Sequence, residues 1–285
     1  MKVFTTISEV KDFKLSVKEG LLGFVPTMGA LHNGHLSLVK EAKKRSSFVG
    51  VSIFVNPTQF NDLSDLDRYP RTPDADIALL SQVMEETDFV FMPSVSEMYP
   101  VKDNRVFHFG NLENVMEGPN RPGHFNGVAQ VVSRLFDIVQ PDMAFFGQKD
   151  FQQVAIIQDM VRQLNLKVKI VPCPIIREPD GLAMSSRNRL LLPEHRKNAG
   201  QIYETLLNAS EMSKGKDISE IKTFVVDKIN SISGFRTEYF EIVESVSLTP
   251  LNSKADLKER CRYFGCIALY AGAIRLIDNI ELKFK

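Results

Sequence analysis

The chain carries no excess of charge: its 35 basic and 35 acidic residues cancel. With no global field to draw in polyanions, no nucleic-acid partner is expected, although a local basic pocket stays open. No apolar run approaches the roughly 20 residues that cross a bilayer, so no membrane partner is expected either. The first ten residues include Lys2 but lack the apolar core and small residues of a secretory signal. Cysteine is scarce. Cys173, Cys261 and Cys266 are the only three, the last two lack Cys-x-x-Cys spacing, and an odd total argues against a disulfide framework. Reduced, structural thiols in a cytoplasmic protein are the expectation. Internal repeats and low-complexity segments are absent, and so are the Walker A and Gly-x-Gly-x-x-Gly phosphate loops.

What is present describes a globular protein. The 285 residues are 44% hydrophobic and 25% charged, enough for one or two domains with a sizeable core. Leu21 to Pro26 is a short apolar run stopped by proline and predicts a buried strand. Gly34 to Arg45 sets Leu36, Val39 and Ala42 on one helical face, with Lys43, Lys44 and Arg45 complementing the dipole of the last turn. Strands are predicted at Phe48 to Val55, Asp88 to Met92, Met143 to Phe146 and Val168 to Val171. The intervening helices fall at Asp74 to Glu86, Val128 to Val139 and Phe151 to Leu164. Alternating apolar strands and helices imply an α/β, Rossmann-like, doubly wound parallel sheet, which binds ligands beyond the carboxyl ends of its strands. The character then changes. Helices at Pro193 to Met212 and Ile218 to Ile232, followed by strands near Tyr239 to Val243 and Tyr263 to Ala271, predict a smaller α+β domain. The expected division is 1–176 and 177–285.

Three segments carry chemistry. Met28, Gly29, Ala30, Leu31, His32, Asn33, Gly34 and His35 join a buried strand to a helix. Free N–H groups at the helix start and the positive end of its dipole suit phosphate, and glycine lets backbone approach a ligand. Two imidazoles three residues apart can donate hydrogen bonds to phosphate as charge builds. A zinc site and a merely structural turn are the alternatives, the first short of an obvious third ligand. Gly147, Gln148, Lys149 and Asp150 again run from strand to helix, with Lys149 able to offset triphosphate charge and Asp150 placed as a cap. Met184, Ser185, Ser186 and Arg187 put two hydroxyls and a guanidinium in a row, a grouping that can hold departing phosphates. Gln59 and Gln153 offer amides suited to a small hydroxy acid. By pattern alone, however, an exposed surface glutamine is the favoured reading of either.

Together these residues resemble a known family. Pro26 to His35, Phe54 to Phe60, Arg68 to Thr72, Arg121 to Phe125, Lys149 to Gln153 and Ser185 to Asn188 closely resemble the pantothenate synthetase (pantoate–β-alanine ligase) family, and the match reappears at Arg275 to Asn279. The resemblance implies a cytoplasmic homodimer of the HIGH-motif nucleotidyltransferase superfamily, related in its first domain to class I aminoacyl-tRNA synthetases. It implies the joining of pantoate to β-alanine with ATP and magnesium, releasing AMP and diphosphate. By the same resemblance Met28 to His35, Gly147 to Asp150 and Met184 to Arg187 would contact ATP, with Ile176 at the adenine end through its backbone. His35 would be a proton donor beside His32 and Lys149. Gln59 would touch pantoate and β-alanine, Gln153 would bind pantoate, and Arg121 joins them as a substrate-binding candidate. No residue is assigned as a metal ligand, since ATP phosphates and water supply most of what magnesium needs, although Asp74 and Asp76 are conceivable. The chain departs from the family at Gln148, where Glu is usual, and at Thr58, where Met is common. Gln keeps the shape and can hydrogen-bond, so tuning rather than loss is expected.

Rival readings are a nucleotidyltransferase for another substrate, such as a dinucleotide cofactor, and a regulatory nucleotide-binding module that has lost catalysis. The first needs neither Gln59 nor Gln153. The second leaves His32, His35, Lys149 and Arg187 without purpose.

Overall fold

The structure is a computed structural model that describes residues 1–16, 19–60 and 63–284. Its first sheet is built from β1 (Lys2–Phe4), β2 (Leu22–Thr27), β3 (Phe48–Ile53), β4 (Phe89–Phe91), β5 (Met143–Gly147) and β6 (Lys169–Cys173). All its pairings are parallel, in the order β1-β4-β3-β2-β5-β6. The winding reverses between β2 and β5, so the loops leaving those two strands begin at the topological switch point, where open α/β sheets bind ligands. Val25, Val49, Val51, Val90 and Phe145 are sealed beneath Leu36, Val39 and Ala42 of the helix Asn33–Arg45. Each such side chain contributes about 1.5–3 kcal/mol by leaving water. The second sheet, β7 (Phe235–Glu244), β8 (Tyr263–Ala271) and β9 (Ile274–Leu282), is antiparallel with β8 in the middle. Ile202 and Leu206 of the helix Gln201–Met212, and Ile221, Val225 and Ile229 of the helix Ile218–Asn230, share its core with Ile242, Ile267 and Leu276.

The chain divides into two compact units. Met1–Phe109, Arg121–Gln148 and Gln153–Pro174 make the first, and Gly110–Asn120, Lys149–Gln152 and Ile175–Lys285 make the second. Several elements differ from the sequence expectation, and neither the helix Ile7–Ser16 nor β9 is among those expected. β1 was not predicted: it has three residues, and Val3 is largely exposed, so no periodicity announces it. The helix expected over Asp74 to Glu86 stops at Leu80 and is followed by turns. The helix expected over Pro193 to Met212 is two, Pro193–Asn198 and Gln201–Met212. They break at Gly200, where an added Cβ would lie 2.6 Å from the Asp180 carbonyl oxygen. No helix among the described residues is long and apolar enough to cross a membrane.

Candidate active site

The loop after β2 turns sharply, with Gly29 at φ +82° and Ala30 at φ +49°. A left-handed alanine costs roughly 1–2 kcal/mol, so something must hold it. Asp76 does. Buried near the start of the helix Pro73–Leu80, its carboxylate accepts the Ala30 N–H at 2.9 Å and the Leu31 N–H at 2.7 Å, and Thr72 Oγ1 donates to it at 3.1 Å. Successive main-chain N–H groups closing on an anion form a nest, here filled by a side chain of the same unit.

Beyond that turn the two histidines cap the helix Asn33–Arg45 reciprocally. His32 Nδ1 accepts the Gly34 N–H at 3.1 Å, and His35 Nδ1 accepts the His32 N–H at 3.3 Å. The rings lie 4.1 Å apart, centroid to centroid. Because both Nδ1 atoms accept, each neutral imidazole carries its proton on Nε2, a donor that phosphate can use. The structural reading of this turn and the phosphate reading are therefore compatible: one nitrogen caps and the other presents a proton. The zinc reading finds no support, since no group of three or more His, Cys, Asp or Glu able to hold a metal occurs among the described residues.

Gln59 is not a surface residue. It is buried in the turn Pro57–Gln59, with Nε2 lying 2.9 Å from Met28 Sδ. The Asn56 amide, itself buried, donates to Gln59 Oε1 at 3.3 Å and to the Gly127 carbonyl at 3.2 Å. Tyr99 donates its hydroxyl to Asn56 Oδ1 at 2.9 Å. His124 Nδ1 lies 2.8 Å from the Gln59 carbonyl, which can only accept, so the proton is on Nδ1 there. Gly127 is required by close approach, because a Cβ would stand 2.4 Å from the Thr58 carbonyl oxygen. Arg121 and Gln153 are both half-buried. Arg121 stands just before the helix His124–Val139, where its carbonyl accepts the His124 N–H at 3.1 Å. Gln153 sits in the first turn of the helix Phe151–Gln163.

Gly147 and Gln148 leave β5, with Gln148 N–H donating to the Cys173 carbonyl at 2.8 Å and open space where a Gly147 Cβ would be. Lys149 and Asp150 group with the second unit. There the Lys149 ammonium lies 3.9 Å from an Asp150 carboxylate that is about half exposed. In the same unit Met184 N–H donates to the Ile176 carbonyl at 2.9 Å, and Arg177 bridges Ala183, so Ile176 and Met184 are held as two arms of one hairpin. Ser185 caps the short turn Ser186–Leu190 by accepting the Arg187 N–H at 3.3 Å. Ser186 is buried, Arg187 half-buried, and Asn188 donates to the Ala183 carbonyl at 3.0 Å.

The residues that hold these loops carry no distinguishing signal in the sequence. Asp76 figured there only as a conceivable magnesium ligand, yet both its oxygens are committed to backbone N–H groups. Asp74 is exposed at a helix start. Asn56, His124 and Gly127 lay inside or beside the quoted motifs, but nothing in their spacing distinguishes a supporting residue from a contacting one. The thiols are bland: Cys173 and Cys266 are buried, and burial pushes the Cys173 thiol up to about 11.

The family model described as pantoate-beta-alanine ligase matches residues 2–281. The chain is 52% identical to a pantothenate synthetase of Azobacteroides pseudotrichonymphae over 284 residues, covering 98% of this chain and 99% of that one. It is 50% identical to a pantothenate synthetase of Bacteroides thetaiotaomicron over 285 residues, covering 99% of each. Among solved structures it resembles a pantothenate synthetase from Thermus thermophilus, with TM-score 0.90, 43% identity and 99% of each chain covered. It also resembles a pantoate-beta-alanine ligase from Francisella tularensis complexed with beta-gamma ATP and β-alanine. That match has TM-score 0.82 and 37% identity, covering 99% of this chain and 97% of the other.

Proposed function

The chain belongs to the pantoate-beta-alanine ligase family, and from that premise we propose how its own residues join pantoate to β-alanine at the expense of ATP. It is an enzyme of pantothenate biosynthesis. In the first step a pantoate carboxylate oxygen attacks the α-phosphorus of ATP, and the bond to the bridging oxygen breaks to release diphosphate. Catalysis here is mostly positioning and charge stabilisation. Met28 to His35 cradle the triphosphate, with the Nε2–H donors of His32 and His35 facing charge as it develops. As the resemblance implies, Gly147 to Asp150 and Met184 to Arg187 also contact ATP: Lys149 and Arg187 offset its charge, Ser185 and Ser186 donate hydroxyls, and the Ile176 backbone meets the adenine.

Gln59 and Gln153 orient pantoate, with Arg121 beside them among the substrate contacts. In the second step the free amine of β-alanine attacks the acyl carbon and AMP leaves. The amine proton is lost to solvent, and no side chain becomes covalently attached. Magnesium held through the phosphates of ATP would neutralise part of their charge. Asp150 is the exposed carboxylate of the lysine segment and suits an outer contact with it, whereas Asp76 is otherwise committed. A cytoplasmic homodimer, carried over from the resemblance, completes the proposal, and light scattering of the purified protein tests its stoichiometry.

The observation that carries the reading is the reciprocal imidazole cap at the switch point, which turns both histidines into Nε2 donors. His35→Ala tests it. The expected result is a fall of about 100–1,000-fold in the rate of adenylation, the usual effect of deleting one positioned oxyanion donor. Adenylation at the wild-type rate would remove His35 from the chemical step.

A further inference from the structure

The run Arg275-Leu276-Ile277-Asp278-Asn279 shares the family resemblance but has no part in the chemistry described above. It lies on β9, an edge strand of the antiparallel sheet. Three of its side chains are polar and more than half buried, an expensive arrangement unless each has a dedicated partner. Each has one, and each partner leads to a segment assigned to ATP.

Asn279, buried, donates its side-chain amide to the Lys149 carbonyl at 3.1 Å. Arg275 grips Glu117 with both arms of its guanidinium, at 2.9 and 2.8 Å, while the Tyr239 hydroxyl donates to the same carboxylate at 2.6 Å. The Glu117 N–H in turn donates to Gln152 Oε1 at 2.9 Å, and Gln152 Nε2 donates to the carbonyls of Leu112 and Val115 at 2.8 Å each. The stretch 149–152 is thus tied to β9 at both ends, directly at Lys149 and through Glu117 at Gln152. Phe151, between them, packs on Phe264 of β8 with ring centroids 4.5 Å apart. Next to Asn279 on the strand, Asp278 takes a two-armed bond from Arg177, at 2.6 and 3.0 Å. Arg177 stands between Ile176 and the glycine turn of the hairpin that ends in Met184 and Ser185. It stacks on Tyr203 at 3.6 Å and donates to the Gly181 carbonyl at 3.1 Å.

We propose that β9 is a positioning element for adenylation: Asn279 and Arg275 fix the backbone that carries Lys149, and Asp278 fixes the hairpin that carries Ile176 and Met184. None of the three is a catalytic residue in the sense of touching substrate. A purely structural strand would need apolar side chains at these positions, and Leu276 between them is one, buried in the core of the sheet. The polar residues instead direct the strand's bonding toward two separate loops.

The inference rests on the assignment of Lys149 to ATP, and its test separates the two. Pantoate-dependent exchange of diphosphate into ATP is measured for Asn279→Ala, Asn279→Asp, Leu276→Ala and Lys149→Ala, with Tm for each. Displacing a positioned group by a fraction of an ångström to an ångström loses roughly 10–100-fold in rate. Asn279→Ala is expected to lower kcat for exchange by that amount with the KM for pantoate within about twofold. Asn279→Asp, which keeps the shape but presents an acceptor to the Lys149 carbonyl, is expected to fall at least as far. Leu276→Ala is expected to lower Tm while leaving kcat per folded enzyme unchanged. If Lys149→Ala loses exchange but Asn279→Ala retains it, or if Leu276→Ala matches the loss in Asn279→Ala, the positioning role is overturned and the Lys149 assignment stands. If Lys149→Ala exchanges at the wild-type rate, the Lys149 assignment falls and takes the inference with it.

Discussion

Each unit holds its proposed ATP loops with a buried carboxylate, but the two carboxylates work differently. In the first unit Asp76 accepts main-chain N–H groups of the loop it supports. In the second, Asp278 takes the guanidinium of Arg177, a side chain that in turn braces a hairpin. The first arrangement sets a strained backbone directly, and its partner donors belong to the main chain rather than to exchangeable side chains. The second is an ion pair whose members can be exchanged together. The contrast extends outward. Around Gln59 the supports include main-chain groups, with the Thr58 carbonyl against Gly127 and the Gln59 carbonyl against the His124 ring, beside the side-chain bond from Asn56, whereas Glu117 and Arg275 in the second unit meet as side chains. The carboxylate of the first unit bonds its loop's main chain, and that of the second acts through the Arg177 side chain.

The sharpest way to break this comparison is Asp76→Ala. It leaves two buried N–H groups without their acceptor and a left-handed Ala30 unsupported. Adenylation is expected to fall about 100-fold, with about 2–4 kcal/mol of stability lost in denaturant unfolding. No second-site substitution should restore it, because the partners are backbone. Near-normal adenylation by this variant would mean the loop holds its own shape. Arg177→Met is read in stability alone, with about 3–5 kcal/mol lost by stranding the Asp278 charge. Arg177→Met with Asp278→Leu should recover much of that loss, as paired apolar replacements of buried ion pairs do. Equal stability of the single and double variants would erase the distinction between the units. Gly127→Ala is the mildest of the three. Its Cβ must push on the Thr58 carbonyl, an overpacking that costs about 1–3 kcal/mol. Because the same turn carries Gln59, the KM for pantoate should rise while the KM for ATP stays unchanged. A uniform rise in both would show that the turn does not separate the two substrates.

Much of the first unit was legible because its strands are apolar, its helices periodic and its loops rich in special residues. The strand–helix junctions at 26–35 and 145–151 emerged from period and punctuation alone. What escaped has a common physical cause. Asp76 lies about 45 residues from the loop it holds, and Asp278 lies 101 residues from Arg177. A single sequence carries no trace of such long-range pairing, only a carboxylate on an otherwise ordinary helix or strand. Gln59 was ambiguous for the complementary reason: burial of a glutamine depends on neighbours such as Met28 and Asn56 that only the fold brings together. The break at Gly200 was missed because a helical period continues across it, and only the approach of the Asp180 carbonyl requires the glycine.

The central claim is that the loop after β2 activates pantoate with ATP before β-alanine takes part. Exchange of labelled diphosphate into ATP tests it most directly, run with pantoate, with other small carboxylic acids, and with β-alanine omitted. The account predicts exchange that requires pantoate and proceeds without β-alanine. Exchange that ignores pantoate, or that appears only when β-alanine is added, would contradict it.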